Sequence, residues 1–197
     1  MSTDPDPEGR TEDLGPRLRE LRLQSGTSLR ALARELGISA SAVSQIERGI
    51  MRPSVSRLIA YVSALGVPLS AVFETGLEKE PEDEHRFAIR RSSEVAPITL
   101  EGGVVFRRLA PVPTPGVEFF ESVYPPNAIS SAHGQFLKHE GYEVGTVTQG
   151  ELTIEFESDV VTLGVNDSIT FPCARPHIIG NRSDTVTAVA TWLIVHS

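Results

Sequence analysis

The chain holds one cysteine, Cys173, among its 197 residues. No internal disulfide can form and a zinc site built from cysteines is excluded, which agrees with a reducing compartment. Cys173 is expected to be a small apolar core residue. Long hydrophobic runs are also missing: nothing approaches the ~18 to 20 apolar residues that cross a bilayer, so no membrane contact is expected. The N-terminal MSTDPDPEGRTED is acidic and proline-bearing, the opposite of a basic and then apolar secretory signal. A cytoplasmic protein is expected. No internal repeat is evident.

What is present is charge, unevenly placed. The net charge is −8, yet residues 14–73 carry eight arginines against three glutamates, a balance of +5. Residues 1–13 carry −4 and residues 74–197 carry −9. The total argues against nucleic acid, but the asymmetry points to one segment built for a polyanion and another that is not.

Residues 1–13 lack apolar periodicity and are expected to be a solvated tail. From Leu14 the spacing of Leu14, Leu18 and Leu21 predicts a helix that Gly26 ends. Ser28 is a good N-cap for a second helix running to Gly37, and Ser39 for a third, with Ile38 placed to staple against Val43. A fourth helix takes Val55, Leu58, Ile59, Val62 and Leu65 on one face, capped by Ser54 and stopped by Gly66 and Pro68. LSAVF would close the bundle as a short fifth helical turn. ETGLEKEPEDEH, residues 74–85, reads as an acidic linker. Beyond it the period changes to two. ELTIEF, DVVTL, SITF and TAVATWLIV are the clearest strands, and their turn spacing suggests a sandwich or barrel.

Two short helices joined at ELGIS need a small residue where they cross, a glycine at the bend and apolar anchors on the second; Ala33, Gly37, Val43 and Ile46 stand there. With SQIERG and PSVSRL following, residues 27–73 resemble the helix-turn-helix domain of the lambda-repressor-like, xenobiotic-response-element family. That resemblance implies a third helix whose N-terminal part enters the major groove. Carried over by position, Ala40, Ser41, Ser44 and Gln45 would face base edges, with Ser39 at the helix start. Gln45 can pair with adenine and Ala40 can meet a thymine methyl. Phosphate contacts would fall to Ser28, Arg30, Arg48, Arg52 and the amides at Ser54. Any one of these arginines could equally be a solvated surface charge. Ala40 and Ser41 are small, so base discrimination is expected to be modest. One such module buries little surface, so a homodimer on a double-stranded DNA operator is expected.

LKHEGYEVGTVTQG and LGVNDSITFPCARPHIIGN carry the second resemblance. Residues 98–197 resemble a cupin barrel, with His139, Glu143 and Gly150 in the first signature and Pro172, His177 and Asn181 in the second. Leu137 replaces the first histidine, and Asn166 stands where a turn glycine is usual, a residue that also accepts positive φ. The barrel so implied puts Leu137 and His139 on one interior face, returns Glu143 on the next strand and brings in His177 from a third. Two imidazoles and a carboxylate suit a divalent metal, iron(II) or zinc. The same pocket of Leu137, His139, Glu143 and His177 could instead bind a small-molecule effector. A buried Glu143 needs a partner, and a metal, an effector amine or His177 could each supply one. His85, His133 and His196 are read as loop or rim residues.

The expected architecture is α + β in two domains: an all-α, five-helix helix-turn-helix domain at 14–73, the linker, and an all-β cupin (double-stranded β-helix) barrel at 86–197. Two functions fit. One is a transcription regulator whose cupin domain senses an effector and dimerises. The other is a non-haem iron(II) enzyme, because the domain order and the triad without its first histidine resemble the hydroxypropylphosphonate epoxidases. Against the enzyme, no lysine precedes Lys79 and GGVVFRRL offers no tyrosine. Arg107 and Arg108 in that stretch are read as exposed charges or as anion ligands.

Overall fold

The computed structural model describes residues 11–73, 87–89, 91, 96–131 and 134–196. Residues 1–10 of the expected tail, the expected linker with His85, and His133 lie outside the described residues. Four helices come first: α1 (Thr11–Gln24), α2 (Leu29–Glu35), α3 (Ala40–Glu47) and α4 (Val55–Leu65). Nine strands follow among the described residues: β1 (Ile98–Thr99), β2 (Val105–Arg108), β3 (Val117–Tyr124), β4 (Tyr142–Gln149), β5 (Leu152–Phe156), β6 (Val160–Leu163), β7 (Ser168–Pro172), β8 (His177–Gly180) and β9 (Ala188–Val195). No helix among the described residues is long and apolar enough to cross a membrane.

Local chemistry sets the helix ends. The hydroxyls of Ser28, Ser39 and Ser54 accept from the backbone N–H of Ala31, Ala42 and Arg57, each answering one unpaired donor of a first turn. Gly66 closes α4 in the left-handed region at φ 67. Two expectations need correction. Among the described residues there are four α-helices, because Leu69–Phe73 forms a 3-10 turn; five residues behind Pro68 are too few to propagate an α-helix. Helix α1 begins at Thr11, three residues before its first apolar position. Leu18, Leu32, Val43 and Leu58 form the bundle core.

The strands make a six-stranded sheet, β1-β2-β3-β9-β4-β7, facing a three-stranded sheet, β6-β5-β8. Burial alternates along β9, with Ala188, Ala190, Trp192 and Ile194 inward, so the period of two read from TAVATWLIV sets the core face. Trp192 lies across Gly145 of β4 and its indole N–H donates to Ser122 Oγ at 2.9 Å. A Cβ on Gly145 would stand 2.2 Å from the Trp192 ring. Gly145→Ala is therefore expected to destabilise the barrel by about 1–3 kcal/mol through overpacking, read as a lower denaturation midpoint.

The helices dock on the barrel through the start of α4 and the 3-10 turn. The Ser56 N–H donates to Ser130 O at 2.9 Å, the Glu101 N–H to Pro53 O at 3.0 Å and the Ser70 N–H to Glu118 Oε1 at 2.8 Å. Phe73 and Phe120 add a ring contact at 5.7 Å.

Candidate nucleic-acid interface and metal centre

The docking contacts just named involve no residue of α3. Ser41, Arg48 and Arg52 are exposed, as are Ser28, Arg30 and Ser39, while Ala40, Ser44 and Gln45 are half-buried. The opposite face of α3 buries Val43, Ile46 and Glu47. Three of the eight arginines serve the fold instead. Arg22 is a buried ion-pair partner, Arg17 donates to Ala71 O and Arg57 donates to Leu36 O.

Ser54 does not join the exposed set. It is 4% exposed, its hydroxyl caps α4, and the next free amide of that first turn, Ser56 N–H, is taken by Ser130 O. The helix N-terminus that could have met a phosphate is used to hold the barrel.

The glutamate of SQIERG has a role the motif alone does not reveal. Glu47 receives Arg22 Nε at 2.6 Å and Nη2 at 2.8 Å, and the Tyr61 hydroxyl donates to it at 2.7 Å. All three are buried, so α1, α3 and α4 are tied at one point. Burial opposes the charge of Glu47, but the bonds from Arg22 and Tyr61 outweigh it and hold the carboxyl below its ordinary range.

In the barrel, His139, Glu143 and His177 come together, with one ligand atom from each within 4.8 Å of the others. His139 Nε2 lies 3.0 Å and His177 Nε2 3.9 Å from Glu143 Oε1. Each histidine donates its Nδ1–H to a backbone carbonyl, His139 to Glu140 O at 3.1 Å and His177 to Arg175 O at 2.9 Å. That fixes the tautomer and aims both Nε2 atoms at the carboxylate. Burial holds His177 below its usual pKa despite the nearby Glu143, so its Nε2 offers a lone pair. Among the described residues Glu143 Oε2 has no hydrogen-bond partner, although it is buried. One carboxylate oxygen is thus left without a donor beside two imidazole nitrogens, a donor set that suits a divalent cation.

Leu137 reaches the same place through the backbone. It exchanges N–H···O bonds with His177 at 3.0 and 2.9 Å and lines the interior cavity as an apolar wall. Tyr124, missed in the sequence, is 1% exposed and also lines it; burial and then the Glu143 charge push its hydroxyl well above the usual range. Cys173 is fully buried, its thiol pushed up to about 12 by burial and by Glu143. Asn166 takes φ 71, as its turn requires. His196 is a rim residue, 3.1 Å from Glu118 Oε2. Arg107 lies 3.6 Å from Glu121, but Arg108 is not the surface charge expected: it is fully buried, because the alternation of β2 turns it inward with Phe106.

A helix-turn-helix family model (HTH_3) matches residues 18–72 and a cupin domain model (Cupin_2) matches residues 120–194. The HTH-type transcriptional regulator PuuR of Escherichia coli (strain K12) is 30% identical over 176 residues, covering 86% of this chain and 88% of PuuR. Among solved structures, an HTH_3 family transcriptional regulator from Vibrio cholerae aligns with a TM-score of 0.66 at 21% identity, over 95% of this chain and 97% of its own, and so shares the fold. Hydroxypropylphosphonic acid epoxidase from S. wedmorenis aligns over 93% of this chain and 97% of its own with a TM-score of 0.46 at 18% identity, too loose a likeness to bear on chemistry. The chain belongs to the helix-turn-helix transcriptional regulators that carry a cupin domain behind their DNA-binding domain.

Proposed function

We propose that the protein reads a specific operator through Gln45 and its neighbours on α3, and that its barrel answers to a small effector while holding a homodimer. The observation that carries this reading is the placement of α3. The barrel is gripped by the start of α4 and the 3-10 turn, while Ser41 and Arg48 stand exposed and take no part in those bonds. Gln45 supplies the paired contact to a base, and Arg30, Arg48 and Arg52, with Ser28 and Ser39 at helix starts, grip phosphates. Gln45→Ala is expected to weaken binding to the operator by about 1–3 kcal/mol with little loss at unrelated DNA, measured by fluorescence anisotropy. Equal weakening on both would remove Gln45 from base reading.

The dimer reading is supported by the outer face of the six-stranded sheet. Phe119, Tyr142 and Val144 are 38%, 54% and 37% exposed there, on strands joined through β9 in the rows Phe119, Leu193, Val144 and Val117, Val195, Tyr142. An apolar patch of this kind commonly marks an association surface. Two copies would present two α3 helices to half-sites about one helical turn apart.

His139, Glu143 and His177 would hold a divalent metal, iron(II) or zinc. Such an ion would neutralise the buried carboxylate and supply Lewis acidity. The donor set also favours a second reading, an iron(II) enzyme. Substrate turnover dependent on iron(II) and lost in His177→Ala, in protein that does not recognise an operator, would favour the enzyme over the regulator.

A further inference from the structure

Building on the regulator reading, we propose that the organic effector binds in the cleft between α4 and the mouth of the barrel, and not inside the barrel. The interior cavity beside Leu137, Glu143 and Trp192 has a volume of only about 30 Å³, and Val55 and Ile59 of α4 and Leu69 of the 3-10 turn line it from the helical domain. That is room for an ion or a water, too little for a metabolite. The cleft outside measures about 720 Å³, within the range that small-molecule sites occupy.

Its two walls differ in chemistry. Ile59, Val62 and Leu69 give an apolar side from the helical domain, and Glu118, Lys138, His139 and Glu140 give a polar side from the barrel with two carboxylates against one ammonium. The ligand class that fits is a small molecule with an apolar body for α4 and a hydrogen-bond-donating end for the carboxylates. Glu118 is 5% exposed and already holds the two domains together, with Ser70 N–H on one oxygen at 2.8 Å and His196 Nε2 3.1 Å from the other. A molecule in the cleft touches both sides of the seam that orients α3. Its occupancy therefore favours one setting of the helical domain over another, which is what an effector must do.

The test titrates benzyl alcohol, a probe with an apolar ring and one donor, into isotope-labelled full-length protein and follows backbone amides by NMR. Ile59, Ser70 and His139 should shift together and saturate. Ser63→Trp on α4 and Ala174→Trp on the barrel, both exposed residues that line the cleft, should each weaken the probe at least about tenfold. Saturation that survives either substitution, shifts centred on interior residues such as Leu137 and Ile154, or shifts that never saturate would overturn the proposal. Operator binding by the probe-free protein, measured separately on the native chain, tests the regulator reading on its own.

Discussion

Replacing Glu47 with alanine is expected to cost the helical domain about 3–5 kcal/mol, the penalty for breaking a buried ion pair from one side. Arg22 and the Tyr61 hydroxyl would be left buried facing a void, 6% and 0% exposed respectively. Since a domain is stable by only about 5–15 kcal/mol, much of the helical signal should melt at a lower denaturant midpoint. Operator binding should fall with it, although Glu47 touches no DNA in this account. Glu47→Gln, which keeps a similar shape and can still accept from Tyr61, should lose less. The same residue sets an acid limit. Its carboxyl titrates below the ordinary value in the fold, so its stabilisation is complete above the unfolded pKa of ~4.3 and is lost as pH falls through the lower folded value. A melt of the helices that begins in this acid range in the native chain, with a weaker pH dependence in Glu47→Gln, is the expected pattern.

Glu143→Ala should have effects of opposite sign with and without metal. The carboxylate is 4% exposed, with one oxygen unpartnered among the described residues and the other 3.0 Å from His139 Nε2 and 3.9 Å from His177 Nε2. Removing it relieves a desolvated charge, and the metal-free variant is expected to be more stable than the metal-free native barrel by about 1–3 kcal/mol. With iron(II) or zinc supplied the order reverses, because the native site is stabilised by mass action and the variant has lost its anionic ligand. Retained metal after dialysis should drop by at least about 100-fold. Melting curves with and without each ion, paired with metal analysis, read both halves. A variant less stable than native protein in both conditions would mean that His139 and His177 satisfy Glu143 unaided.

The local rules of the chain were legible. Serine caps, the glycine at the end of α4, the apolar spacing and the alternating strands all operate within a few residues, and the elements formed where they pointed. The two cupin signatures also brought His139, Glu143 and His177 together, although they lie on separate segments. What stayed hidden depends on what an element packs against. Val55 and Ile59 look like core positions of a bundle, yet they also line the barrel's interior cavity, so the stripe on α4 serves two domains. Ser54 looks like a free helix start, yet that start is docked. Arg108 looks like surface charge, and only the pairing of β2 with β3 shows which way it turns. Glu47 sits among motif residues that face DNA in such domains, and its burial is fixed by Arg22, 25 residues earlier.

Whether α3 enters a duplex groove is read from a salt titration of affinity for DNA from the protein's own upstream region against a scrambled duplex of equal length. With Arg30, Arg48 and Arg52 from each of two copies on phosphates, log affinity should fall against log salt with a slope of about −5. The upstream duplex should bind more tightly than the scrambled one at every salt concentration. Equal affinity for the two duplexes, or no binding at low salt, would mean that α3 does not read an operator.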